Sequence, residues 1–128
     1  MKIDVSIGEV VDKITILQIK QERITDEAKV AHVTTELKLL QETLNESEIT
    51  VPLEMINELK QVNQTLWDTE DIIREKERCS EFDDEFVEHA RLDAKLNDKR
   101  FLVKNKINQH CNSPVKEQKS YEDLYTTD

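Results

Sequence analysis

An all-α fold built around one long antiparallel helical hairpin is what this sequence predicts, and three observations carry that prediction. There is one glycine and there are two prolines in 128 residues, so the chain has few places to turn or to break a helix. The apolar residues recur at steps of three and four rather than alternating. Charged residues make up 36% of the chain and aromatic residues 5%, which suits slender amphipathic helices with broad solvated faces. The length suits a single domain over 1–128. Thin helices leave part of each apolar stripe uncovered, so a homodimer is the expected assembly.

The first helix is announced by a capping box. Ser6 accepts from the Glu9 amide and the Glu9 carboxylate reaches back, with Val5 and Val10 as the flanking hydrophobic staple. Val10, Ile14, Leu17 and Ile24 form its main stripe, and Val11, Ile16 and Ile19 widen it, so this helix is expected to be covered on more than one side. Val30, Val33, Leu37, Leu40 and Leu44 then form a heptad seam that is out of register with Ile24. Thr25-Asp26-Glu27 lies between, a polar start signal, and predicts a break at Thr25 that divides 7–46 into two N-terminal helices.

Residues 45–51 read as the first loop. Pro52 is favourable at the start of the third helix, 52–79, which turns Ile56, Leu59, Val62, Leu66 and Ile73 inward. Ser80-Glu81 reads as a tight turn into the fourth helix, 82–110, with Phe82, Phe86, Ala90, Ala94, Phe101 and Ile107 as its inward stripe. Asn112-Ser113-Pro114 stops it. Residues 112–128 form a polar tail whose Tyr121, Leu124 and Tyr125 are expected to dock on the body.

Composition removes several function classes. Eighteen basic residues against 28 acidic ones give a net charge of −10, which repels phosphate backbones and anionic lipid, so no nucleic-acid partner is expected. No apolar run approaches the ~20 residues of a membrane span. The N-terminal segment lacks a signal-peptide core, so a cytoplasmic protein is expected, with Cys79 and Cys111 reduced at opposite tips of a hairpin ~40 Å long. No cofactor, metal or catalytic residue is expected. One glycine leaves no phosphate-cradling loop, and none of His32, His89 and His110 follows an acid by three residues, as di-iron bundles require. Glu85, His89 and Asp93 read as a surface ladder.

One constellation stands out. Asn63, Trp67, Glu70 and Arg74 stack on one face of the third helix, among its core residues. Asn97, Asp98 and Arg100 interrupt the fourth helix in the same way. A turn at 80–81 sets Asn63 opposite Asn97 and Asp98, Trp67 opposite Ala94, and Glu70 opposite Arg91. Two readings follow. In one, the set is a structural polar network that fixes helix register. In the other it is a ligand pocket, with Trp67 as a stacking wall and Arg74, Arg91 and Arg100 gripping an anion. The candidate ligand-binding set is therefore Asn63, Trp67, Glu70, Arg74, Arg91, Asn97, Asp98 and Arg100. Helix 4 also carries a basic patch of Arg91, Lys95, Lys99, Arg100, Lys104 and Lys106, expected to pair with acids of helix 3 or of a dimer mate. Asp12, Lys20 and Arg23 are expected to face solvent; the alternative is that each points toward the same interior network.

Several segments resemble an uncharacterised family of small helical proteins from bacteria and marine phages. They are Val5 to Glu9 running into Asp12 to Leu17, Arg23-Ile24 with Asp26, Val62-Asn63 with Leu66-Trp67, Glu70-Asp71 and Ile73-Arg74, Asn97-Asp98 with Arg100, Ile107-Asn108, and Lys119 to Glu122. The chain departs from that pattern at Leu92-Asp93-Ala94, and the resemblance implies no activity. Val11-Asp12 to Arg23 is loosely similar to helical chorismate mutases, but the basic residue they need falls near Thr34. Glu81-x-x-Asp84 before Glu85-x-x-Glu88 is the wrong order for helical nucleotide pyrophosphohydrolases. The expected function is a non-catalytic helical interaction or scaffold module. The alternative is a small-molecule module, enzyme or not, that binds an anionic ligand such as a nucleotide or sugar phosphate between helices.

Overall fold

A computed structural model describes residues 1–120 and Leu124. Four helices follow in order: α1 (Ile7–Arg23), α2 (Glu27–Glu46), α3 (Leu53–Arg78) and α4 (Asp84–His110). There is no strand among the described residues. α3 and α4 form the long antiparallel hairpin, α1 packs against both of them, and α2 packs on α1 alone.

The helix boundaries have local causes. Ser6 Oγ accepts from the Glu9 amide at 3.1 Å, but the other half of the capping box is not made, because Lys104 Nζ takes the Glu9 carboxylate at 2.8 Å. The chain breaks between α1 and α2 as expected, with Asp26 rather than Thr25 as the cap; its Oδ1 accepts from the Lys29 amide at 3.1 Å. α4 starts later than the sequence suggests. Asp83 accepts from the Phe86 amide at 2.9 Å, and a carboxylate caps far better than Phe82.

The scarcity of glycine does not mean that left-handed backbone is absent. Glu48, Ser80 and Asn112, at φ 61°, 55° and 53°, each follow the C-terminus of a helix. Around Ser80 the Glu81 amide reaches Lys76 O at 2.8 Å and the Ser80 amide reaches Glu77 O at 3.1 Å, a Schellman motif. Asn112 and Ser113 repeat it on Gln109 and Asn108. Asparagine adopts this conformation readily, whereas serine and glutamate pay on the order of 1 kcal/mol.

The single glycine serves a different need. Gly8 is not at positive φ. A Cβ there would lie 2.5 Å from Lys104 O and 2.9 Å from Asn108 Oδ1, so only glycine lets α1 cross α4 this closely.

The core falls into three clusters. Ile7, Val11, Val51, Leu59, Val103 and Ile107 join the start of α1 to the base of the hairpin. Ile14, Leu17 and Leu37 join α1 to α2, with Val33, Leu40 and Leu44 of the heptad seam half-buried around them. Val62, Leu66 and Leu96 join α3 to α4. Toward the tip beyond Leu66 and Leu96, no described apolar side chain is fully buried. Lys76 holds that tip together, with its Nζ 3.0 Å from Asp83 and 3.5 Å from Glu85.

The inward stripe of helix 4 is corrected here. Ile107 is buried and Phe86 and Phe101 are half-buried, but Phe82, Ala90 and Ala94 are exposed. The residues that face α3 are spaced as Leu96, Val103 and Ile107, with polar positions between them. The connection, 79–83, is also longer than the two-residue turn expected, which shifts the register. Glu70 meets Asp93, not Arg91.

Gly8→Ala is expected to destabilise the fold by about 2 kcal/mol or more, because the clash is with backbone that cannot move aside. Ser80→Gly should stabilise it by roughly 1 kcal/mol. Urea denaturation of the two variants would measure these opposite signs.

Candidate functional site

Asp12 organises the interior. It is 1% exposed, which overturns the solvent-facing expectation, because it lies on the same face of α1 as Gly8, Val11, Thr15 and Ile19. Arg100 grips it with two bonds, Nε to Oδ1 at 2.9 Å and Nη2 to Oδ2 at 2.5 Å. Asn63 Nδ2 donates to Asp12 Oδ1 at 3.0 Å and to Thr15 Oγ1 at 2.9 Å, while Thr15 Oγ1 donates to the Asp12 carbonyl at 2.8 Å. One network thereby ties α1, α3 and α4. The bond to Asp12 raises the Arg100 pKa against the opposing effect of burial.

A second layer lies toward the base. Lys104 is 6% exposed, with its Nζ 2.8 Å from Glu9 and 3.3 Å from Glu117. Burial works against its charge, but the bond to Glu9 and the fields of Asp12, Glu9 and Glu117 outweigh that and raise its pKa. Asn108 Oδ1 accepts from the Gly8 amide at 2.6 Å and Ser113 Oγ accepts from the Ile7 amide at 3.1 Å. These two side chains satisfy amides that the first turn of α1 leaves without helical partners. The tail follows this layer. Ser113 Oγ donates to Val115 O at 2.7 Å, Lys119 sits 5.7 Å from the centre of the Phe101 ring, and the Leu124 amide donates to Asp98 Oδ2 at 2.7 Å. The described part of the tail is thus held by polar contacts, whereas the Leu124 side chain that was expected to dock is exposed, and Tyr121 and Tyr125 lie outside the described residues.

Toward the tip the electrostatics change sign. The Glu70 carboxyl faces that of Asp93, whose Oδ1 is buried without a hydrogen-bond donor. Partial desolvation first, and Asp93 second, raise the Glu70 pKa above the usual carboxylate range, while Arg74 and Arg100 pull it back.

Four of the eight candidate residues converge. Asn63, Trp67, Glu70 and Arg100 line one cavity of about 220 Å³, together with Ile16, Ile19 and Lys20 of α1. A neighbouring hollow of about 260 Å³ also borders Arg100, and adds Asn97, Lys104 and Phe101. The other four candidates lie outside this cavity. Trp67 lines this cavity with α1 residues, and Ala94 is exposed rather than packed on it. Asn97 bonds back to Asp93 O at 3.0 Å, Asp98 is taken by the tail, and Arg74 and Arg91 are exposed. Of the basic patch, Lys106 pairs with Glu58 of α3 at 3.2 Å, whereas Arg100 and Lys104 pair with α1. Arg23 is held by Asp68 at 2.5 Å, and Lys60 by Glu22 at 2.6 Å. Gly8, Glu9, Thr15, Lys104, Asn108 and Ser113 belong to the interior polar layers without being among the eight candidates. The available signal was the row Asn97, Arg100, Lys104 and Asn108, one turn apart along α4.

Asp12→Asn leaves Arg100 without its counter-charge and is expected to cost about 3 kcal/mol in urea denaturation. Glu70 gives a pH test. Its pKa is higher in the folded state, so the folded state binds the proton more tightly and stability falls as pH rises from the usual carboxylate range through the raised value. Glu70→Gln should remove that slope, gaining on the wild type between pH 4 and pH 7. A constant difference between the two proteins would contradict the assignment.

The polar positions and the helical frame can be set beside known proteins. No curated protein and no solved structure matches this chain. One family model does, DUF6165, described as a family of unknown function, and it matches residues 1–128. With residues 1–128 matched, the chain belongs to this family of unknown function.

Proposed function

We propose that this chain is a non-catalytic helical interaction module that works in the cytoplasm. The observation that carries the reading is how the interior polar groups are used. Both oxygens of Asp12, the amide of Asn63 and the hydroxyl of Thr15 are engaged in one network with Arg100, an arrangement that suits the fixing of helix register. Some large apolar side chains are left exposed. Phe82, Val87 and Leu92 on the hairpin arm are 60%, 50% and 37% exposed. The net charge of −10 favours a protein partner over nucleic acid.

One observation favours a second reading. The cavity of about 220 Å³ brings Trp67 and the apolar side chains of Ile16 and Ile19 beside Lys20 and Arg100, a wall and two cations suited to a nucleotide or sugar phosphate. A thermal-shift screen with nucleotides, sugar phosphates and magnesium separates the two. Specific binding stabilises by roughly 2.7 kcal/mol at a hundredfold excess over Kd. The module reading expects a flat screen. A shift that disappears in a folded Trp67→Ala variant would replace it with the ligand reading.

A further inference from the structure

We infer that the cavity between Trp67 and Arg100 takes the C-terminal residue of a partner protein. An apolar side chain of that residue lies on Trp67, and its carboxylate is held by Arg100 and Lys20; the inference rests on the interaction-module reading. Three unspent groups define this occupant. Arg100 uses Nε and Nη2 on Asp12, and among the described residues nothing takes its Nη1. The edge of the guanidinium away from Asp12 is therefore open to a second carboxylate. Lys20 is half-buried, lines the same cavity and, among the described residues, has no ion pair.

The third group is Asn63. It is 5% exposed, and its two amide hydrogens go to Asp12 Oδ1 and Thr15 Oγ1. A carboxylate only accepts, so the amide nitrogen faces Asp12 and the carbonyl oxygen faces away. Asn63 Oδ1 accepts no bond and, unlike Asp93 Oδ1 and Asn108 Nδ2, is not closed off from solvent. Its opening is the cavity that Asn63 lines. One acceptor, two cations and an apolar wall match a chain terminus, which carries an N–H, a carboxylate and a side chain on a single carbon.

Size and charge favour this occupant over a nucleotide. About 220 Å³ falls short of the roughly 300–1,000 Å³ of small-molecule pockets. The first amides of α1, which could cradle phosphate, are taken by Ser113, Asn108 and Ser6. A net charge of −10 repels a triphosphate or an acidic stretch, whereas one carboxylate matches Arg100 and Lys20. Glu70, an acid of the lining, is turned to Asp93. Ile16, Lys20 and Arg100 also border a hollow of about 230 Å³ with Lys13, Leu17 and Glu36, which gives the preceding residues of a partner chain an exit.

Trp67 is the only tryptophan of the chain, so its fluorescence reports occupancy. The probe is the tetrapeptide acetyl-Ala-Ala-Ala-Leu, titrated into the full chain. The free acid is expected to give a saturable change. Its C-terminal amide, and the free acid ending in glycine, should each bind at least about tenfold more weakly. Lys20→Gln lies outside the interior network and should weaken the free acid roughly fivefold with helical circular dichroism unchanged. A free acid without a saturable change overturns the inference, and so does an amide, a glycine-ended peptide or a Lys20→Gln variant that binds as well. The module reading is then decided by the ligand screen. A nucleotide that produces the Trp67 change where the peptide does not assigns the cavity to a small molecule and overturns both.

Discussion

The rest of the structure depends on a buried carboxylate. Asp12 lies on the packed face of α1, where an unpaired charge would cost several kcal/mol, and the fold supplies a guanidinium with two parallel bonds and a carboxamide with a third. Those donors come from different helices, so α1 can seat itself in only one rotation and one height in the groove of the hairpin. An apolar residue of similar size would allow neighbouring registers with little loss. The network therefore acts chiefly on specificity, which in this protein joins three helices with a modest apolar core.

Backbone geometry sets the same placement from the other side. Gly8 lets the α1 backbone reach α4, and Asn108 and Ser113 then receive the amides that this approach would leave bare. The close crossing and the polar cap belong together, since a side chain at position 8 would push away the oxygen that the Gly8 amide needs. Further along, Lys104 replaces the capping partner of Glu9 with a stronger one. A local rule for starting a helix yields here to a tertiary ion pair, because a buried ammonium needs its counter-charge more than a backbone amide needs a cap.

The hairpin is uneven along its length. Its base carries paired charges and most of the buried apolar surface, while its outer part has facing carboxyls at Glu70 and Asp93 and an exposed apolar row on α4. Few buried apolar contacts hold that outer part, so it has the lower local stability. The convergence of Asn63, Trp67 and Arg100 at the junction of the two halves follows from the same geometry, since α1 ends its course along the groove there.

Much of the fold was legible in the sequence. Helical periodicity, the scarcity of glycine and proline, the cap at Ser6 and the polar start signal Thr25-Asp26-Glu27 are local signals, so four helices, the break after α1 and the α3–α4 hairpin could be read directly. The polar positions Asn63 and Arg100 were equally legible, since a polar residue in an apolar stripe needs a partner whatever the fold. The identity of that partner was not legible. A connection at 79–83 rather than a two-residue turn moves every facing pair between α3 and α4, so Glu70 meets Asp93 and Ala94 turns outward. Only the three-dimensional packing decided that Asp12 is interior, that Lys104 is buried between two carboxylates, and that glycine is required at position 8. These depend on distances between segments about a hundred residues apart, which no local spacing encodes.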